Sequence, residues 1–279
     1  MLTAIPWNDV AFLVGALLVG GVLTGLIAGM LGVGGGGVMV PILYEVFGIM
    51  GVDDSVRMQL CVGTSLAVII PTSILSYRAH KAKGAVLPHV LKQWRMPAIT
   101  GIIIGSAIAG LVAGWVLQVV FVVVISSLGL KSLLGRNDIR IAETLPGKGM
   151  MRFYGLIIGL ASSLVGISGG GISTNFLLLY GVPIHAAVAT SAGIGIFIPI
   201  PGVIGYAIAG WQHLPELPPF SLGYVSVIGF LLMAPVSALV APYGARFSHR
   251  LSRRHLEIMF GVFLLLIASR FLYALVMPG

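Results

Sequence analysis

The sequence predicts an all-α polytopic membrane protein built from two inverted-topology repeats, and three observations carry that prediction. Of the 279 residues, 58% are apolar and only 9% are charged, with mean hydropathy +1.07, which is outside the range of ordinary soluble domains. The stretches 10–44, 58–77, 96–130, 153–215 and 217–245 contain no Asp, Glu, Lys or Arg, and each reaches the ~20 residues a spanning helix needs. Apolar residues do not alternate with polar ones, so a barrel is not expected. Finally, a glycine-rich passage occurs twice inside this apolar background, as LGVGGGGVMVP over 31–41 and VGISGGGIS over 165–173.

Five apolar pieces are expected in the first half. Piece 10–33 runs into the glycines, and 38–50 restarts after them. Piece 58–77 carries Thr64-Ser65 and then Pro71, and 96–114 and 117–134 are separated by an uncharged turn. The second half repeats the order at 153–167, 172–182, 187–209, 222–244 and 256–277. Gly32, Val33, Gly35, Gly36 and Gly37 match Gly166, Ile167, Gly169, Gly170 and Gly171 at an offset of 134. Thr64-Ser65 matches Thr190-Ser191 at 126, and Gly105 with Phe121 matches Gly244 with Phe260 at 139. Piece 172–182 is too short to span alone, so each glycine run is expected to form the tip of a hairpin of partial helices. The division is 1–135 for the first repeat, 136–152 for a cytoplasmic linker and 153–279 for the second repeat, all in one membrane domain.

Charge orients the repeats. Fourteen of the 16 basic residues fall in three strips: Arg78, Lys81, Lys83, Lys92 and Arg95; Lys131, Arg136, Arg140, Lys148 and Arg152; Arg246, Arg250, Arg253 and Arg254. Short basic strips between apolar spans mark cytoplasmic loops and meet anionic lipid, so the net charge of +8 does not indicate nucleic acid. Equivalent loops of the two halves carry opposite bias, which requires an odd number of crossings per half. Both termini are then expected on the outer side of a membrane of bacterial inner-membrane type. No cleavable signal is apparent, because the first apolar run has no basic flank and is too long. The single cysteine, Cys61, cannot form an intrachain disulfide and is expected to pack in the core.

A glycine break inside a membrane segment is tolerable only where protein or a cavity satisfies the freed backbone. Glycines let backbone N–H groups approach a ligand, and a helix starting after them adds about half a positive charge at its N-terminus. The surrounding hydroxyls and amides then suit an oxyanion: Thr64, Ser65, Ser168, Ser173, Thr174, Asn175, Thr190 and Ser191. The competing structural reading has glycines simply allowing close helix packing, and it is preferred for Gly25, Gly29, Gly101, Gly105 and Gly110.

These residues resemble the TauE/SafE sulfite-exporter family, also called the toluene-sulfonate uptake permease family. The resemblance is carried by Gly29 to Gly37 with Pro41 and then Gly63-Thr64-Ser65, and by Gly166 to Gly171 with Pro183 and then Ala189-Thr190-Ser191, so it spans both halves. It implies transport of sulfite, sulfonates or related organosulfur anions, without fixing the substrate. The expected function is therefore a secondary transporter working by alternating access at a midplane site. Its site residues are Gly34, Gly35, Gly36, Gly37, Thr64, Ser65, Ser168, Gly169, Gly170, Gly171, Asn175, Thr190 and Ser191. An anion channel of the same fold is the alternative. No catalytic residue, metal or cofactor is expected, and coupling to protons or ions and a homodimer are left open.

Other patterns carry less. Gly32-x-Gly34-x-x-Gly37 satisfies a dinucleotide fingerprint as a string but lacks the surrounding βαβ unit. Gly166-Ile167-Ser168-Gly169 satisfies the GxSG string of intramembrane serine proteases, an enzyme alternative centred on Ser168, yet its counterpart in the first half is Gly34. The histidines fall near span ends without ligand spacing. Pro71, Pro199 and Pro201 are expected to kink helices, moving or static. Glu45 either relays a proton or reaches the outer interface beside Asp53 and Asp54, with the interface favoured.

Overall fold

The computed structural model describes residues 7–31, 35–82, 84–135, 141–248 and 253–276. Those residues form eleven α-helices: α1 (Trp7–Leu31), α2 (Gly36–Ile49), α3 (Asp54–Ala82), α4 (Pro88–Leu111), α5 (Gly114–Leu134), α6 (Lys148–Val165), α7 (Gly170–Leu179), α8 (Ile184–Phe197), α9 (Pro199–Ala209), α10 (Val227–Ser248) and α11 (Arg253–Val276). A 3-10 turn, Trp211–Glu216, precedes α10. Among the described residues the only β pairing is one bridge, Ser221 to Ser226.

Among the described residues seven helical runs are long and apolar enough to cross a membrane: α1, α3, α4, α5, the combined α8–α9 run Ile184–Ala209, α10 and α11. The protein is an all-α polytopic membrane protein. Helices α2 and α7 have 14 and 10 residues. At 1.5 Å per residue they measure about 21 and 15 Å, well short of a hydrocarbon core of about 30 Å. They occupy the expected short pieces 38–50 and 172–182.

Pro71 leaves α3 helical, whereas the second half divides at Ile198 into α8 and α9. The difference is one of number. Pro199 and Pro201 together remove two N–H donors from one turn, while a single proline removes one. The bonds on either side, Ile198 N–H to the Ile194 carbonyl and Gly202 N–H to that of Ile198, are each 3.2 Å and join the two pieces across the break.

Contacts between the halves come in interchanging pairs. Helix α1 packs along α10 and α6 along α4, while α5 packs against α11. A Cβ on Gly25 would press on the Ser237 backbone, and one on Gly159 would press on Ala98. Gly159 lies 134 residues after Gly25 and Ser237 lies 139 after Ala98, the sequence offsets already seen. Gly244 against the Leu26 carbonyl and Gly105 against that of Leu160 repeat the relation. Here small residues let backbones touch, as membrane helices require when apolar burial gives no drive of its own.

The two short helices end at opposite ends of the bundle. Ile141, in the segment between α5 and α6, donates its N–H to the Leu179 carbonyl at the end of α7 (2.8 Å). Near the other end of α5, Gln59 in the second turn of α3 donates through Nε2 to the Val112 carbonyl of the α4–α5 turn (3.0 Å), and Gln118 Nε2 donates to the Tyr44 hydroxyl late in α2 (2.7 Å). Helix α5 itself has 21 residues, about 32 Å of separation.

Candidate functional site

Both short helices start from the same backbone device. Gly35 caps α2 at φ 70°, ψ −7°, and Gly169 caps α7 at φ 71°, ψ −5°. A side chain in this left-handed region is strained, which accounts for glycine at each tip. The Gly35 carbonyl accepts from the N–H groups of Val38 (3.0 Å) and Met39 (3.1 Å), and the Gly169 carbonyl accepts from Ser173 N–H (2.9 Å). The first-turn N–H groups of Gly36 and Gly37, and of Gly170 and Gly171, are those an α-helix leaves without intrahelical acceptors. Gly170 N–H reaches the Ser168 hydroxyl at 3.4 Å.

The tips touch one another. A Cβ on Gly36 would collide with the Gly166 carbonyl oxygen and stand 2.8 Å from Ile167 Cα. Ser65, on α3 and 0% exposed, donates its hydroxyl to the same Gly166 carbonyl at 2.7 Å. Gly35, Gly36, Gly169, Gly170, Gly171 and Ser168 are all buried, Gly37 is half-buried, and none of the residues meeting here is charged. Beside the first tip, Ile27, Gly35, Gly37, Val38, Ile125, Leu128, Ile167, Phe260 and Leu264 line a small, mostly apolar cavity of about 20 Å³, room for about one water.

The threonines sit elsewhere. Thr64 accepts the N–H of Ser226 (2.9 Å), just ahead of α10, and Thr190 accepts the N–H of Leu87 (2.9 Å), the residue capping α4. Each hydroxyl of one half therefore holds a helix start of the other, and the two bonds interchange under the offsets of 126 and 139. Both threonines are buried, as is Ser191, whose hydroxyl has no partner among the described residues. Asn175 is half-buried on α7. Gly34, the remaining expected site residue, lies outside the described residues together with Gly32 and Val33.

Polar groups missed in the sequence stand close by. Thr24 on α1 is buried, its hydroxyl has no partner among the described residues, and its Cγ2 would lie 2.6 Å from a Cβ on Gly35. At the second tip a Cβ on Gly169 would meet Ile158 and Ser162, the counterparts of Thr24 and Ala28 at the offset of 134, and the Ser162 hydroxyl donates back to the Ile158 carbonyl. The available signal was the approach of each first helix to its own tip, seven to eleven residues before the capping glycine.

A family model described as "Sulfite exporter TauE/SafE" matches residues 17–271. The chain belongs to the TauE/SafE family. A probable membrane transporter protein of Haemophilus influenzae is 30% identical over 259 residues, covering 92% of this chain and 97% of its own. One from Methanocaldococcus jannaschii is 27% identical over 251 residues, covering 87% and 89%. The probable membrane transporter protein YunE of Bacillus subtilis is 24% identical over 286 residues, covering 92% and 96%. No solved structure gives a significant match. The TauE/SafE members carrying these names are membrane transporters by description, and this chain is a multi-pass membrane transporter of the same family.

Proposed function

We propose that the protein is a secondary transporter of small organosulfur anions such as sulfite or sulfonates, alternating access around a site at the two glycine tips. The single observation that carries this reading is the contact between the two glycine tips, Gly36 at the start of α2 against Gly166 at the end of α6, with the short helices α2 and α7 capped in nearly identical geometry by Gly35 and Gly169. Two helix N-termini aimed into one uncharged, buried region favour an anion there, since first-turn N–H groups need acceptors and each end contributes partial positive charge. The family's description and the names of its relatives agree with transport.

The interchanging contacts, and the ends of α2 and α7 at opposite ends of the bundle, support two inverted repeats. In that arrangement each hairpin enters and leaves on its own side and meets its counterpart near the midplane. With the strips around Lys81, Lys148 and Arg250 on the cytoplasmic side, both termini face outward. In this reading, opening one tip away from its counterpart would enlarge the cavity of about 20 Å³ beside the first tip.

Reconstituted protein loaded with unlabelled sulfite, taurine or an aryl sulfonate should show saturable counterflow of the labelled anion. Uptake that grows linearly with concentration and continues without exchange would assign a channel instead; absence of flux for every oxyanion tried would reject the substrate class.

A further inference from the structure

Fourteen of the 16 basic residues belong to the three strips, which leaves Arg57 and Arg270. Arg57 is held locally, donating through Nε and Nη2 to the Val52 carbonyl at 2.9 and 2.6 Å and pairing with Asp54 at 2.7 Å. Arg270 differs. It lies inside the span Glu257–Val276, its side chain is 55% exposed, and its partner comes from another element. Its Nη2 is 3.1 Å from one oxygen and 3.4 Å from the other oxygen of Glu45 on α2. A cation on the outer part of a span opposes the usual charge bias and calls for a functional account.

What lies next to the pair gives one. The adjacent residues Tyr44 and Phe271 bring their rings to 4.9 Å, and Phe271 meets Phe121 of α5 at 5.0 Å. About two to three turns further along α2 and α11 stand Gly37, Val38, Phe260 and Leu264, which line the cavity beside the first glycine tip. The rings lie at the level of the ion pair on its buried side, so the exposed pair, the buried aromatic cluster and then the cavity follow one another inward. The sequence offsets add a comparison. Arg270 stands 139 residues after Lys131 and Leu179 stands 134 after Glu45, so both halves carry the cation while the carboxylate is confined to the first.

A carboxylate presenting two oxygens to a guanidinium occupies the place of any oxyanion with a similar pair of oxygens, and sulfite and sulfonates have one. Resting on the organosulfur-transport reading, we propose that Arg270 is the first binding station for the anion on the outer side, that Glu45 is its built-in competitor, and that Tyr44, Phe271 and Phe121 form the barrier to the cavity. An arriving anion takes the guanidinium from Glu45, which unfastens α2 from α11 and frees the hairpin to move.

The test compares wild type, Glu45→Gln and Arg270→Gln in proteoliposomes, with labelled sulfite and taurine added from the Arg270 side, and in parallel measures equilibrium binding of the same anions to purified protein. Losing a charged donor should raise the half-saturating concentration of Arg270→Gln by about 10-fold or more, whereas Glu45→Gln should lie below wild type because the competitor is gone. Opposite signs uphold the station. A pair that merely fastens two helices would make both variants worse, or leave both unchanged, and either result overturns it. If the wild type carries none of these anions, the transport reading fails and binding decides the station by the same opposite signs.

Discussion

Gly35, Gly36 and Gly37 are consecutive, and the structure assigns alanine a different outcome at each. At Gly36 the new methyl would collide with the Gly166 carbonyl and stand 2.8 Å from Ile167 Cα, both main-chain atoms that move only if the two tips separate. Overpacking of that kind costs about 1–3 kcal/mol. At Gly35 the contact is with Thr24 Cγ2 at 2.6 Å, and φ of +70° adds about 1–2 kcal/mol for a left-handed L-residue. At Gly37 the neighbours are the ends of two flexible side chains, Ile125 Cδ1 at 3.3 Å and Leu264 Cδ2 at 3.4 Å. Replacing a helical glycine by alanine also gains about 0.5–1 kcal/mol, so Gly37→Ala should be close to neutral for folding. The assay is reversible denaturation of purified protein in lipid nanodiscs or mixed micelles, paired with anion counterflow. The expected order of stability is Gly37→Ala, then Gly36→Ala, then Gly35→Ala, with Gly169→Ala resembling Gly35→Ala because its Cβ would meet Ser162 Oγ at 2.7 Å and Ile158 Cγ2 at 2.9 Å at the same φ. Equal losses at Gly36 and Gly37 would refute the reasoning, since tip-to-tip contact would then not be what excludes a side chain.

Thr64→Val and Thr190→Val should each cost about 1–3 kcal/mol of stability by leaving a backbone N–H, of Ser226 or Leu87, without its acceptor, and serine should restore most of it. Denaturation of the two pairs of variants checks this, and a loss confined to one half would break the equivalence. Ser65→Ala removes the donor to the Gly166 carbonyl and should lower counterflow more than folded yield; unchanged flux would place the second tip's function elsewhere. Cysteines at 81 and 250 should be shielded from an impermeant reagent in intact cells while one at 212 is labelled, and the reverse pattern would falsify the assigned orientation.

Much of the fold was legible because bilayer length and glycine punctuation are local signals. The expected pieces 38–50 and 172–182 became α2 and α7, and α5 and α10 begin and end within about five residues of the apolar boundaries, whereas α4 begins at Pro88, eight residues before its expected piece 96–114. Helix α3 runs further than expected, from Asp54 to Ala82, because polar residues at both ends continue the helix beyond the apolar stretch. The site was less legible. Thr64 and Thr190 read as donors for an anion on their chemistry alone, but their partners lie 162 and 103 residues away, and nothing local in either segment marks a hydroxyl as already engaged. The Glu45–Arg270 contact, 225 residues apart, was hidden for the same reason. Once the offsets of 126 and 139 are joined to the structure, the two threonine bonds become readable as two copies of one relation, whereas the Glu45–Arg270 pair has no second copy.

The exchange of helices between halves also sets the order of assembly. Helix α1 has α10 as its principal companion, yet about 200 residues separate the end of one from the start of the other. At translation rates of roughly 5–20 residues per second, α1 waits on the order of 10–40 s before α10 is made. During that interval its glycine face, Gly21 and Gly25, has no Val236 or Ser237 to meet and must rest against lipid or the insertion machinery. Helix α4 waits far less for α6, since fewer than 40 residues intervene. Helix α6 therefore finds its companion already made, whereas α1 meets its own only near the end of synthesis, which makes the α1–α10 seam the place where a slowed ribosome or a truncated chain leaves the molecule unfinished.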